Sequence, residues 1–113
     1  MNHDEFVEKM TTPMTIDYDE CRRIIARSVE ADTTITKCIV AMEELAELQK
    51  ELSKAARDKL NRYDLIQEIA DVEICLLEIC SIYGINETAV DKAMWIKLMQ
   101  ERDRLDSLKK ADT

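Results

Sequence analysis

Residues 65–83 read LIQEIADVEICLLEICSIY, an unbroken run without glycine or proline. Leu65, Ile69, Val72, Leu76, Ile79 and Tyr83 recur at three- and four-residue intervals. That spacing is one face of an α-helix. Ile66, Ala70, Ile74 and Leu77 spread over most of the remaining surface. A helix that is apolar nearly all round is a buried helix. Glu68, Asp71 and Glu78 fall, with Cys75, in one sector about 80° wide at 100° per residue. These acids are therefore set into an apolar surface, where an unpaired carboxylate costs several kcal/mol. Each needs a proton, a base or a cation.

The neighbouring sequence supplies the elements that would surround this helix. A first helix is expected from Asp17 or Asp19 to Ala31, and a second from about Ile35 to Ala56, capped from Asp32-Thr33-Thr34. The second should bury a stripe of Cys38, Ala41, Met42, Leu45, Leu48 and Leu52. A basic connection, 57–62, leads to the helix already described, with Asn61 or Asp64 as its cap and Gly84 suited to the position after its end. Asn86 can cap a last helix reaching Ala111. Residues 1–13, ending at Pro13, read as a loosely held lead-in to a single domain spanning 1–113. The fold class is thus all-α, a four-helix, bundle-like domain. Three companions of this length do not cover an all-round apolar helix, so assembly with a partner chain is expected, as a homodimer or homotetramer.

Composition agrees with this and narrows the function. One glycine and one proline among 113 residues leave few turns, which disfavours a strand-rich fold. The net charge of −8 argues against a nucleic-acid groove or an anionic membrane surface. No apolar stretch is long enough to span a bilayer. Cys21, Cys38, Cys75 and Cys80 form no CxxC, and no signal-peptide pattern is visible, so reduced thiols in a cytoplasmic protein are expected. The single histidine, His3, lies in the lead-in, which removes histidine-based zinc sites and Ser-His-Asp or Cys-His catalysis.

Glu43-Glu44-Leu45-Ala46-Glu47 precedes Glu68-Ile69-Ala70-Asp71, with 20 residues between the two strings. Residues three and four apart lie on one helix face. Each string therefore projects carboxylates sideways, and on adjacent helices the two sets can converge. By itself the first string is compatible with an ordinary solvated face, Glu44, Glu47 and Glu51 forming its stripe with Glu43 beside it. The second is not so easily solvated, because of its apolar flanks. A converging set of carboxylates calls for a hard divalent cation. Magnesium fits an all-oxygen site and commonly bridges carboxylates to substrate phosphates.

The spacing of EExxE and ExxD, together with AMEELAELQKEL (41–52), LIQEIADVEICLLEI (65–79) and IKLMQERDRL (96–105), resembles the MazG-like, all-alpha nucleoside triphosphate pyrophosphohydrolases. The resemblance covers about residues 35–105. It implies a magnesium-dependent hydrolase, with manganese able to substitute, that converts a nucleoside triphosphate to a monophosphate and pyrophosphate. Glu44, Glu47, Glu68 and Asp71 match the metal ligands. Glu43 or Glu44 would serve as base toward the attacking water, and Lys97 and Arg104 would bind phosphate. Gln100 stands where the family commonly has an arginine. House-cleaning of the nucleotide pool is the role the resemblance suggests. Two alternatives stay open: a helical interaction module without catalysis, whose acids are salt-bridged or solvated, and a related hydrolase of another pyrophosphate-containing nucleotide.

Overall fold

The computed structural model describes residues 1–111, and their regular structure is all helix, with no strand among them. Five helices follow one another: α1 (His3–Thr11), α2 (Tyr18–Ala31), α3 (Thr34–Ala56), α4 (Arg62–Ile82) and α5 (Glu87–Ala111). Short polar side chains set their starts. Asp17 accepts from the Glu20 N–H, Thr33 from the Thr36 N–H and Asn86 from the Ala89 N–H. Asn61, rather than Asp64, caps α4, accepting from the N–H groups of Tyr63 and Asp64. Such caps satisfy donors that the first helical turn leaves without partners.

The lead-in expected to be loose contains α1, a short helix capped by Asn2 and tethered to the start of α4 by His3 Nδ1, 2.9 Å from Asp64 Oδ1. It buries no residue fully; only Phe6 and Val7 are half-buried.

The chain divides into two compact units, Met1–Ile82 and Tyr83–Thr113. In the first, α4 packs against both α3 and α2. The α3–α4 connection, residues 57–61, is short, as antiparallel neighbours require. It opens with a Schellman closure: the Lys59 N–H donates to the Lys54 carbonyl at 2.8 Å and the Asp58 N–H to the Ala55 carbonyl at 3.1 Å. Asp58 occupies the left-handed position at φ 59°, where glycine is normally favoured. Asp58→Gly is therefore expected to stabilise the chain by about 1 kcal/mol, read as a higher midpoint in urea unfolding. In the second unit Gly84 takes the same conformation, φ 63°, and Asn86 then starts α5.

The seam of the first unit departs from the expected one. Ala41, Val72 and Cys75 are its buried apolar residues, and Glu51 and Glu78 are buried with them. On α3 the inward positions are Lys37, Cys38, Ala41, Glu44, Leu48, Glu51 and Ala55; Met42, Leu45 and Leu52, expected inside, are exposed. On α4 the sector carrying Glu68, Asp71, Val72, Cys75, Glu78 and Ile79 turns inward, while Ile69, Leu76 and Tyr83 stay exposed. Both helices thus meet through their acid-bearing stripes and leave their richer apolar stripes outward.

One end of this seam is tied by charge. Lys37 Nζ lies 2.7 Å from Glu78 Oε2 and donates to Ser28 Oγ at 2.7 Å; Ser28 in turn donates to Glu78 at 3.1 Å. The network joins α2, α3 and α4. Asp32 adds a weaker contact to Lys37 at 3.6 Å.

Candidate metal centre

Between the charged tie and the 57–61 turn, Glu44 of α3 faces Glu68 and Asp71 of α4. One carboxylate oxygen from each lies within 4.8 Å of the other two. All three side chains are half-buried. The seven-residue rhythm of the seam explains the meeting. Glu44 sits three residues after Ala41 and four before Leu48, so it shares their inward face; Asp71 lies four residues and Glu68 seven residues before Cys75, again on one face.

The three carboxylates strain against one another. Burial raises the Glu44 carboxyl above the ordinary range, and the Asp71 charge, a hydrogen bond to Asp71, and the charges of Glu47 and Glu43 add to this. Burial likewise raises Glu68, followed by the charges of Asp71, Glu44, Glu47 and Glu51. Glu68 Oε2 is enclosed and has no hydrogen-bond partner among the described residues. No lysine or arginine is ion-paired with any of the three carboxylates among the described residues. An all-oxygen donor set, mutual repulsion and an enclosed orphan oxygen together fit a hard divalent cation such as magnesium. Glu44, Glu68 and Asp71 would hold it.

The raised carboxyls carry a pH signature. A carboxyl whose folded pKa exceeds its unfolded value binds more protons when folded, so stability falls as pH rises through that interval. For Glu44 and Glu68 the fall begins near the ordinary value of 4.5. Without divalent cation, melting temperature is expected to decrease from pH 4.5 toward neutrality, and millimolar magnesium to restore it at neutral pH. Glu68→Gln should flatten the metal-free decrease. An unchanged slope in that variant would remove Glu68 as its source.

The remaining expected site residues are placed as follows. Glu43 and Glu47 are exposed on α3 and reach the cluster through their charge. Lys97 and Arg104 lie on α5, in the second unit, and both are exposed; Arg104 is held by Glu101, with Nη2 2.6 Å from Oε1. Cys75, beside the cluster, is a buried thiol raised by burial and then by the charges of Glu78, Glu44 and Asp71. It packs as a small apolar residue. Two features escaped the sequence reading of the site: the enclosure of Glu51 and the Ser28–Lys37–Glu78 network. Their signal was present in the inward spacing 37, 41, 44, 48, 51, 55, which alternates polar with small or apolar residues.

Comparison of the chain with protein-family models, with curated proteins and with solved structures gives no match.

Proposed function

We propose that the protein is a magnesium-dependent nucleoside triphosphate pyrophosphohydrolase with a MazG-type helical site. The observation that carries this reading is the convergence of Glu44, Glu68 and Asp71 from the two motif strings onto one half-buried point. The motif resemblance supplies the substrate class. Bound magnesium would offset phosphate charge and lower the pKa of an attacking water. Glu43 stands next to Glu44 on α3 and is exposed, which suits a group that takes a proton from water. By the resemblance, Lys97 and Arg104 would bind phosphate; Arg104 is engaged by Glu101. Glu47 would complete the ligand set.

A panel of canonical and modified nucleoside triphosphates tests the proposal. Pyrophosphate and monophosphate should appear in equal amounts, only with magnesium or manganese. Inorganic phosphate and a diphosphate as products, or no turnover of any member, would overturn it.

The exposed apolar stripe supports assembly with a second copy. Ile69, Ile74, Leu76 and Leu77 of α4 are 41–50% exposed, and Leu45 and Leu52 of α3 are 47% and 53% exposed. Covering the exposed half of such side chains is worth about 0.7–1.5 kcal/mol each, and self-association is the usual symmetric route. Light scattering should give at least twice the 13.1 kDa chain mass. Leu76→Asp should shift it toward the monomer, and a monomeric parent chain would contradict the assembly.

A further inference from the structure

Glu78 and Glu51 are the buried carboxylates among the described residues, and each holds a lysine of α3. The two lysines are not equivalent. The Lys37 side chain is 12% exposed and is shared among Glu78, Ser28 and Asp32, so its donors are used within the fold. The Lys54 side chain is 36% exposed and bonds only Glu51 Oε1, at 3.1 Å, among the described residues. An ammonium carries three donors, so two are left for a ligand. Its anchor, Glu51, is 7% exposed. Held in this way, the lysine has less rotamer freedom to lose on meeting an anion than a free one has.

The register of α3 against α4 places this ammonium. Lys37 meets Glu78, and seven residues farther along α3 Glu44 meets Asp71, seven residues back along α4. One more step of seven brings Glu51 level with Asp64, which is engaged by His3 at 2.9 Å. By the same register Glu68 is level with residue 47. A cation on Glu44, Glu68 and Asp71 therefore lies between the levels of residues 44 and 47. Lys54 reaches back one turn to Glu51, so its ammonium stands about 6–10 Å beyond that cation at 1.5 Å per residue. Charge changes sign in the same direction. Residues 50–62 carry Lys50, Lys54, Arg57, Lys59 and Arg62 against Glu51 and Asp58, in a chain of net charge −8.

We infer that Lys54 binds the terminal phosphate of the triphosphate, and that the polyphosphate chain runs from the cation centre toward the 57–61 turn. With its inner phosphates on the cation, a triphosphate spans the gap to the ammonium; a diphosphate on the same cation stops short. Lys54 is then a specificity residue that reads chain length, by a charge-assisted hydrogen bond to the last phosphate. This inference rests on the pyrophosphohydrolase reading of the site.

Calorimetric titration of the full chain with inorganic tripolyphosphate and with pyrophosphate, in millimolar magnesium at fixed ionic strength, tests it. Wild type should bind tripolyphosphate at least about tenfold more tightly than pyrophosphate. Lys54→Ala should lose about tenfold for tripolyphosphate and less than about twofold for pyrophosphate, and Lys54→Arg should keep most of the difference. Unchanged tripolyphosphate binding in Lys54→Ala, or an equal loss for both probes, overturns the inference and leaves the cation centre standing. Where Lys54→Ala loses its helical circular dichroism, Lys54→Gln, which keeps a donor for Glu51, decides by the same ratio. Neither probe binding to wild type overturns the inference together with the reading it rests on. The expected ratios without turnover of any nucleoside triphosphate support the Lys54 contact and overturn the hydrolase reading alone.

Discussion

Asp71→Asn is expected to reduce pyrophosphate release by at least about 10³-fold, equivalent to about 4 kcal/mol of transition-state stabilisation. The helical fold should persist. Asp71 is half-buried, and its charge is the main electrostatic burden on both Glu44 and Glu68. Removing that charge relieves repulsion within the seam, so the metal-free variant should melt slightly higher than wild type. The same substitution removes a negatively charged ligand from the cluster, so its magnesium-induced rise in melting temperature should shrink. Glu44→Gln should behave alike. The combination of higher metal-free stability with lost turnover distinguishes a ligand from a residue needed only for folding. A variant that keeps full activity would remove Asp71 from the site.

Lys37→Ala carries the largest expected cost in stability. Glu78 is 7% exposed, and the Lys37 side chain is 12% exposed against it. Without Lys37 the Ser28 hydroxyl is the carboxylate's remaining side-chain donor among the described residues. Breaking a buried pair from one side costs about 3–5 kcal/mol, and the lower end applies here because the network lies under thin cover. For a domain with about 5–15 kcal/mol to lose, that is a large fraction. Urea unfolding reads the loss. Lys37→Met combined with Glu78→Leu should recover most of it, since replacing both partners leaves no buried charge. The hydrogen bond from Lys37 to Glu78 raises the lysine above its ordinary 10.5; desolvation opposes this, and the charges of Glu78 and Asp32 assist. The sign follows from proton binding. The pair's contribution is complete below about pH 10.5 and is lost as pH climbs through the raised value. The variant should therefore differ least from wild type in strong alkali.

Helix positions were legible in the sequence because capping is local. Thr33, Asn61 and Asn86 each bond to donors two or three residues ahead. No distant contact is needed to read them, and the helix ends fell within a residue or so of expectation. Helix α1 was harder to see, since its stabilisers are the local Asn2 cap and the distant contact from His3 to Asp64.

Orientation was less legible. Periodicity marks a stripe but does not say which way it turns. On α3 the stripe through Met42, Leu45 and Leu52 is more apolar than the one through Lys37, Glu44 and Glu51, yet the second turns inward. What decides is the opposing helix, which offers Glu78 to Lys37 and brings Glu68 and Asp71 to Glu44. Such pairings couple residues more than 20 positions apart and leave no mark on a single helix. The acids themselves were legible because Glu68 and Asp71 interrupt apolar sequence. The enclosure of Glu51 was not, because the nearby Lys50, Ser53 and Lys54 resemble a solvated face.

Crystals grown with manganese and measured at its absorption edge test the cation centre most directly. An anomalous peak in contact with the carboxylate oxygens of Glu44, Glu68 and Asp71 is the predicted result, absent in crystals of Asp71→Asn. Three carboxylates bonded only to one another or to protein cations, with no peak between them at millimolar manganese, would contradict it.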